Sequence, residues 1–149
     1  VKPTSIEGVK VFIAGPMESA GGNWNVPLFD FVANKLREHG CYVYNPADQM
    51  RSNVGTVELV KAMDPSSRKA VRKDAIRDEI EWILQNAQLL MLLPGWERST
   101  RATAEWALAL ALGIEMRETG NILLPAEGKT IDPASLRVEN LQLEKTKDL

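Results

Sequence analysis

Glu105 is the only ionisable side chain in residues 102–113, ATAEWALALALG, a stretch that is otherwise apolar on every side at helical spacing. Such a helix is expected to be buried. A buried carboxylate is costly unless it is paired, protonated or used in chemistry. A second acid comes from residues 68–87, where Asp78 and Glu79 lie next to each other. At 100° per residue Glu79 falls about 60° from Ile76 and borders the apolar face, whereas Asp78 points away. Glu79 is therefore the better partner for Glu105. Paired carboxylates suit glycosidic chemistry: one attacks or stabilises the anomeric carbon, and the other manages the proton on the leaving group. The plainer readings are a helix-dipole role for Glu105 and a solvated flank position for Glu79. The first is weakened because a capping box with Glu105 needs Ser or Thr at position 102, which is Ala102.

These acids must be positioned by elements that alternate along the chain. Residues 9–14 read as a first strand closed by Gly15 and Pro16, and residues 27–39 as a helix with Pro27 at its start and Gly40 as its stop. CYVYN is a second strand ended by Pro46. Residues 47–67 carry Gly55, Pro65 and serines and read as a loop or lid, although VELVKAM suits a short helix. Residues 68–87 form a helix with Ile76, Ile80, Ile83, Leu84 and Ala87 on one face, and residues 89–93 a continuous apolar strand of the kind covered on both sides. The Glu105 helix follows, then a short final strand at residues 121–124 and a less regular tail over 125–149. Strand and helix in alternation predict an α/β, doubly wound parallel sheet with right-handed crossovers. In such sheets ligands bind in the crevice beyond the carboxyl ends of the strands. Glu105 follows one such end.

The loop after the first strand, GPMESAGGNWN, places Gly15, Pro16 and Met17 at its start and Asn23, Trp24 and Asn25 at its end. It lacks both the dinucleotide fingerprint and the Lys-Ser/Thr of a P-loop, so no NAD or ATP site is read from it. Its glycines let backbone amides approach an anionic or sugar ligand, and Asn23, Trp24 and Asn25 add polar and stacking groups. An ordinary flexible loop is the plainer alternative.

The 149 residues are 44% hydrophobic, enough for one domain with a real core. A net charge of −2 and a pI near 5.5 give no reason to expect nucleic acid polymer or anionic membrane as partner. A small molecule or a protein fits better. Cys41 has no second cysteine to pair with and reads as core, and His39 reads as a helix C-terminal cation. No Cys or His cluster suggests a metal. No membrane-spanning stretch or signal peptide is read either, so a cytoplasmic protein is expected.

Three ordered stretches, VFIAGPM, NVPLFDFVANKLREHGCYVYNPAD and LLMLLPGWERSTRATAEWALALALG, together resemble the nucleoside 2-deoxyribosyltransferase-like superfamily over roughly residues 9–113. The resemblance implies a flavodoxin-like parallel sheet and the cleavage or exchange of N-glycosidic bonds in deoxynucleosides or nucleoside 5′-monophosphates. It implies no cofactor, and a homodimer or larger homo-oligomer in which a neighbour completes each pocket. The family's nucleophilic glutamate falls on Glu105 and its helix-borne acid near Glu79, or on Asp78 if the alignment slips by one. The loop from Gly15 to Asn25 would hold sugar and base, and Gly95 and Trp96 join the substrate-binding set. Six residues before the nucleophile, transferases acting on free nucleosides carry an aspartate for the 5′-hydroxyl, whereas monophosphate hydrolases carry a serine. This chain has Ser99, which tilts the expectation to a 5′-monophosphate, and Arg98 and Arg101 favour it further. The chain departs from the pattern at two places. Phe12 stands where relatives often have a tyrosine that orients the nucleophile. Arg101 replaces a small glycine, and would either clasp a phosphate or obstruct the pocket. Base exchange and nucleotide binding without turnover are the alternatives to hydrolysis.

Overall fold

The computed structural model describes residues 6–119 and 144–145. It is an α/β, flavodoxin-like doubly wound fold. Strands β1 (Lys10–Ala14), β2 (Tyr42–Tyr44), β3 (Leu89–Leu92) and β4 (Glu115–Glu118) run parallel in the order β2-β1-β3-β4, with β5 (Glu144–Lys145) antiparallel at the β4 edge. Between them lie helices α1 (Val26–Glu38), α2 (Pro46–Asn53), α3 (Val57–Ala62), α4 (Pro65–Asn86) and α5 (Thr100–Leu112). The order reverses between β1 and β3, where Phe12 pairs with Leu90 and Ala14 with Leu92.

Strand alternation sorts the core into two layers. Val11, Ile13, Leu89, Met91 and Leu93 face α1, packing with Phe29, Val32 and Leu36. Phe12, Ala14, Leu90 and Leu92 face the other way onto Ile83 of α4 and Ala102 and Ala109 of α5. From Val11 onward β1, like the whole of β3, is buried on both sides, which is why these runs are apolar without a break. Gly15 continues β1 so close to β3 that a Cβ there would lie 2.7 Å from Leu93 Cβ. Cys41 belongs to the α1 layer, and burial raises its thiol pKa. His39 is the C-cap of α1, as a helix C-terminal residue should be.

Several expected elements are corrected. Residues 47–67 are mostly helical, not loop: Asn45 caps α2 by accepting from Ala47 N, Thr56 caps α3 by accepting from Leu59 N, and Asp64 caps α4 by accepting from Ser67 N. With Pro65 at its start, α4 begins three residues before position 68. The expected inner face of α4 is rotated: Ile83 is buried, but Ile80 and Leu84 are 40% and 57% exposed. Nor is α5 buried all round, since only Ala102, Glu105 and Ala109 are fully inside and Leu110 and Leu112 are exposed. β4 is a strand that the sequence did not announce, because EMRE is short and charged. The strand expected at 121–124 lies outside the described residues, as does the 125–149 tail apart from β5. Among the described residues no helix is long and apolar enough to cross a membrane.

Candidate functional site

The turn after β3 ends in Ser99, whose hydroxyl oxygen accepts from Ala102 N and starts α5. From that fixed start the spacing Ala102, Glu105, Ala109 forms the inner stripe of the helix. Two small residues flank the carboxyl, so α5 packs closely and carries Glu105 inward. On α4, Glu79 and Ile83 are the buried residues and lie one turn apart. Glu79 is only 2% exposed and Glu105 7%. The two helices deliver two carboxyl groups to one place beyond the ends of β1 and β3.

The carboxyls touch. Burial raises the Glu105 pKa well above its ordinary range; the charge of Glu79 and a hydrogen bond with it add to this, and Arg101 opposes it. Its surroundings thus favour the protonated form of Glu105 more than water does. Arg101 forks onto Glu79: its Nε donates to Oε1 at 3.0 Å and its Nη2 donates to Oε2. Burial works against the guanidinium's charge, but Glu79, Glu105 and Glu18 hold its pKa above the usual value. Removing one partner of a pair buried like this costs about 3–5 kcal/mol.

A cavity of about 500 Å³ opens onto both acids. Its apolar wall includes Ile13, Met17, Phe29, Ile76, Ile80 and Leu108; its polar wall holds Glu18, Ser19, Arg72, Ser99, Thr100 and Arg101. Arg72 donates to Glu18 Oε2 at 2.8 Å through Nη2. Sequence reasoning did not single out Arg72, although 72, 76, 79 and 80 fall on one helical face and the signal was there to read. A side cavity of about 150 Å³ shares Glu79 and Arg101 and is lined by Trp24 and Tyr44. The Tyr44 hydroxyl is buried and finds no partner among the described residues. Burial raises the Tyr44 pKa, as do the charges of Glu79, Asp78 and Glu105, against Arg101. Its ring stacks on Phe12 at 5.1 Å, and the two are register partners on adjacent strands. Tyr44 is the second residue the sequence reading missed.

The other expected site residues divide. Gly15, Met17, Ser99 and Arg101 line the main cavity with the two acids. Phe12 is wholly buried in the core behind it. Asp78 is exposed and lines neither cavity. Pro16 accepts a hydrogen bond from Asn25 Nδ2 at 3.1 Å, while Asn23 Oδ1 accepts from Asn25 N at 3.2 Å. These contacts brace the loop, and Trp24 and Asn25 take positive φ values of 59° and 64° within it. Trp24 packs on Val57 and Val60. Gly95 lies outside both linings, as does Trp96, which donates to Glu118 Oε1 at 2.9 Å and packs on Trp106. Arg98 is exposed and lines neither cavity. Among the described residues no three His, Cys, Asp or Glu side chains gather as metal ligands would.

Two comparisons with known proteins are negative and one is not. A family model described as a domain of unknown function (DUF4406) matches residues 9–118, from β1 through β4. No curated protein and no solved structure matches the chain.

Proposed function

The chain belongs to the family described as a domain of unknown function (DUF4406), and from the chemistry of its site we propose that it is an N-glycosidase acting on a nucleoside or 2′-deoxynucleoside 5′-monophosphate. The observation that carries this reading is the Glu105 carboxyl, buried against a cavity of about 500 Å³ and in contact with a second carboxyl. That volume suits a small organic ligand. The apolar wall suits a nucleobase, and Arg72, Arg101, Ser19, Ser99 and Thr100 suit a phosphate. The resemblance to the nucleoside 2-deoxyribosyltransferase-like superfamily points the same way.

In this reading Glu105, once ionised, attacks C1′; the C1′–N bond breaks, and its electron pair leaves with the base, which takes up a proton. Water then attacks C1′ of the glycosyl ester, the C1′–Oε bond to Glu105 breaks, and water gives up one proton in place of the one the base took, which releases sugar phosphate and the Glu105 carboxylate. Glu79 holds the proton that Glu105 gives up. Phe12 offers no hydroxyl, but Tyr44, its partner on the neighbouring strand, has one that lacks a partner among the described residues and shares a cavity lining with Glu79. No cofactor enters the reaction.

Base exchange is the close alternative, in which a second nucleobase takes the place of water. Binding without turnover is favoured by one specific observation: as it stands, Arg101 is paired with Glu79 and burial raises the Glu105 pKa, which works against a carboxylate nucleophile. Incubation with a panel of nucleoside monophosphates, followed by chromatography of free base, separates these readings. Release in water alone argues against obligatory exchange, and ligand-induced thermal stabilisation without release supports the binding module.

A small-molecule nucleotide, not a nucleic acid polymer or a membrane, is the partner in this reading, and the cytoplasm is where it is met. A homodimer or larger homo-oligomer goes with it. Ile80 and Leu84 on α4 and Leu110 and Leu112 on α5 leave apolar surface that such an interface would cover. Solution scattering that returns a monomer mass removes the oligomer from the proposal.

A further inference from the structure

Two guanidinium groups stand in the polar wall of the main cavity, and each is occupied by a carboxylate: Arg72 by Glu18, and Arg101 by Glu79. They are close enough for their like charges to oppose each other. The Arg101 side chain is 25% exposed and the Glu79 side chain 3%. The guanidinium is therefore the partner that can move, and the carboxylate is the one fixed in place. Ser19, Ser99 and Thr100 place hydroxyl groups in the same wall, and a hydroxyl that accepts as a cap, as that of Ser99 does, still has its proton to donate to an anion. Arginine forks match a phosphate as well as they match a carboxylate.

The position of Arg101 decides which acid is charged. On Glu79 it pairs with that carboxylate, while burial and the neighbouring Glu79 charge raise the Glu105 pKa. Arg101 and Glu105 are also one turn apart on α5, at i and i+4. A guanidinium withdrawn from α4 toward the start of α5 stays beside Glu105 and favours the anion there. Glu79 is then left buried without its cation, an arrangement that costs more than the paired one.

We propose that Arg101 makes the site demand an anionic substrate: a phosphate entering the cavity draws Arg101 off Glu79, one proton passes from Glu105 to Glu79, and Glu105 is left as the reactive carboxylate. The pair carries one negative charge before and after, and no other bond changes. The inference rests on the glycosidase reading for its purpose, but its first step is observable without turnover. Arg101 is on this account a specificity-determining residue, and the contact that looks like an obstruction is a safeguard against neutral nucleosides.

The test has two arms. In the first, infrared difference spectra are recorded while ribose 5-phosphate, which has no base to lose, is added to the wild-type protein. The carboxylic-acid band that is missing from Glu105→Gln should fade, and a band missing from Glu79→Gln should replace it. A band that stays on Glu105 overturns the switch, even if nucleotides are cleaved. If the band moves but no nucleotide releases base, the switch stands and the glycosidase reading falls. In the second arm, wild type should prefer a nucleoside monophosphate to its nucleoside by about a hundredfold in kcat/KM. Arg101→Gln should narrow that gap to within about threefold, partly through a rise of about tenfold in nucleoside kcat. Unchanged nucleoside turnover would make Arg101 a plain phosphate ligand and contradict the proposal. Should Arg101→Gln not fold, the infrared arm on wild-type protein still decides.

Discussion

Glu105 differs from most carboxyls in the sign of its contribution to stability. The folded chain raises its pKa, so above the ordinary value of 4.5 the unfolded chain loses this proton while the folded one keeps it. The stability it contributes is fully present below that value and is lost as pH rises toward the folded pKa. Glu105→Gln removes the titration yet keeps a donor for Glu79, so its melting temperature should exceed that of wild type increasingly as pH rises from about 4.5. A pH-independent difference would mean that Glu105 is not the proton holder. Tyr44 makes a complementary case, because its buried hydroxyl has no partner among the described residues. Tyr44→Phe should hold or raise stability, by up to about 1 kcal/mol, since an unsatisfied buried polar group is costly. If the hydroxyl orients Glu105 during attack, kcat should nevertheless fall by at least about tenfold. An unchanged kcat would return Tyr44 to the aromatic core formed with Phe12 and Trp82. Glu105 was legible because a lone charge in an apolar stretch has few explanations. Tyr44 was not, since CYVYN is also what any strand looks like and only cross-strand register brings position 44 to position 12.

At the scale of elements, α5 and α4 place the acids, and their caps and rotations set the precision. Ser99 is both the N-cap of α5 and part of the cavity wall. Ser99→Asp separates the two roles: aspartate caps as well as serine, so stability should stay within a few tenths of a kcal/mol, whereas a carboxylate there repels phosphate. KM for a nucleoside monophosphate should rise about tenfold or more, with a smaller effect on the matching nucleoside. Equal effects on both would remove Ser99 from phosphate binding. The register of α5 could be read from the Ser99 start and the alanine spacing. That of α4 misleads, because Ile80 and Leu84 suggest an inner face that the fold leaves exposed, while the acid at the border, Glu79, turns out to be inside. Periodicity reports which residues are apolar, but tertiary packing chooses among nearby rotations of the same stripe. The caps Asn45, Thr56 and Asp64 were plain signals for α2, α3 and α4, two of them reinforced by a following proline. β4 had none, since three charged residues around the buried Met116 become a strand through pairing with β3.

Over the whole molecule, the doubly wound sheet creates the switch point between β1 and β3, and that topology makes one cavity out of residues spread from Ile13 to Leu108. The sheet class followed from alternating strands and helices, with β3 and residues 11–14 of β1 apolar. The contact between the carboxyls did not, because it depends on how two helices meet over that sheet. The central claim is that this contact serves cleavage of a base from a sugar phosphate. Its most direct measurement is the release of free base from a panel of nucleoside and deoxynucleoside 5′-monophosphates, by wild-type protein and by Glu105→Ala, in water with no acceptor base. The account predicts release from at least one monophosphate by wild type and none above background by Glu105→Ala. Equal release by both proteins, or ligand binding by wild type without any release, would contradict it.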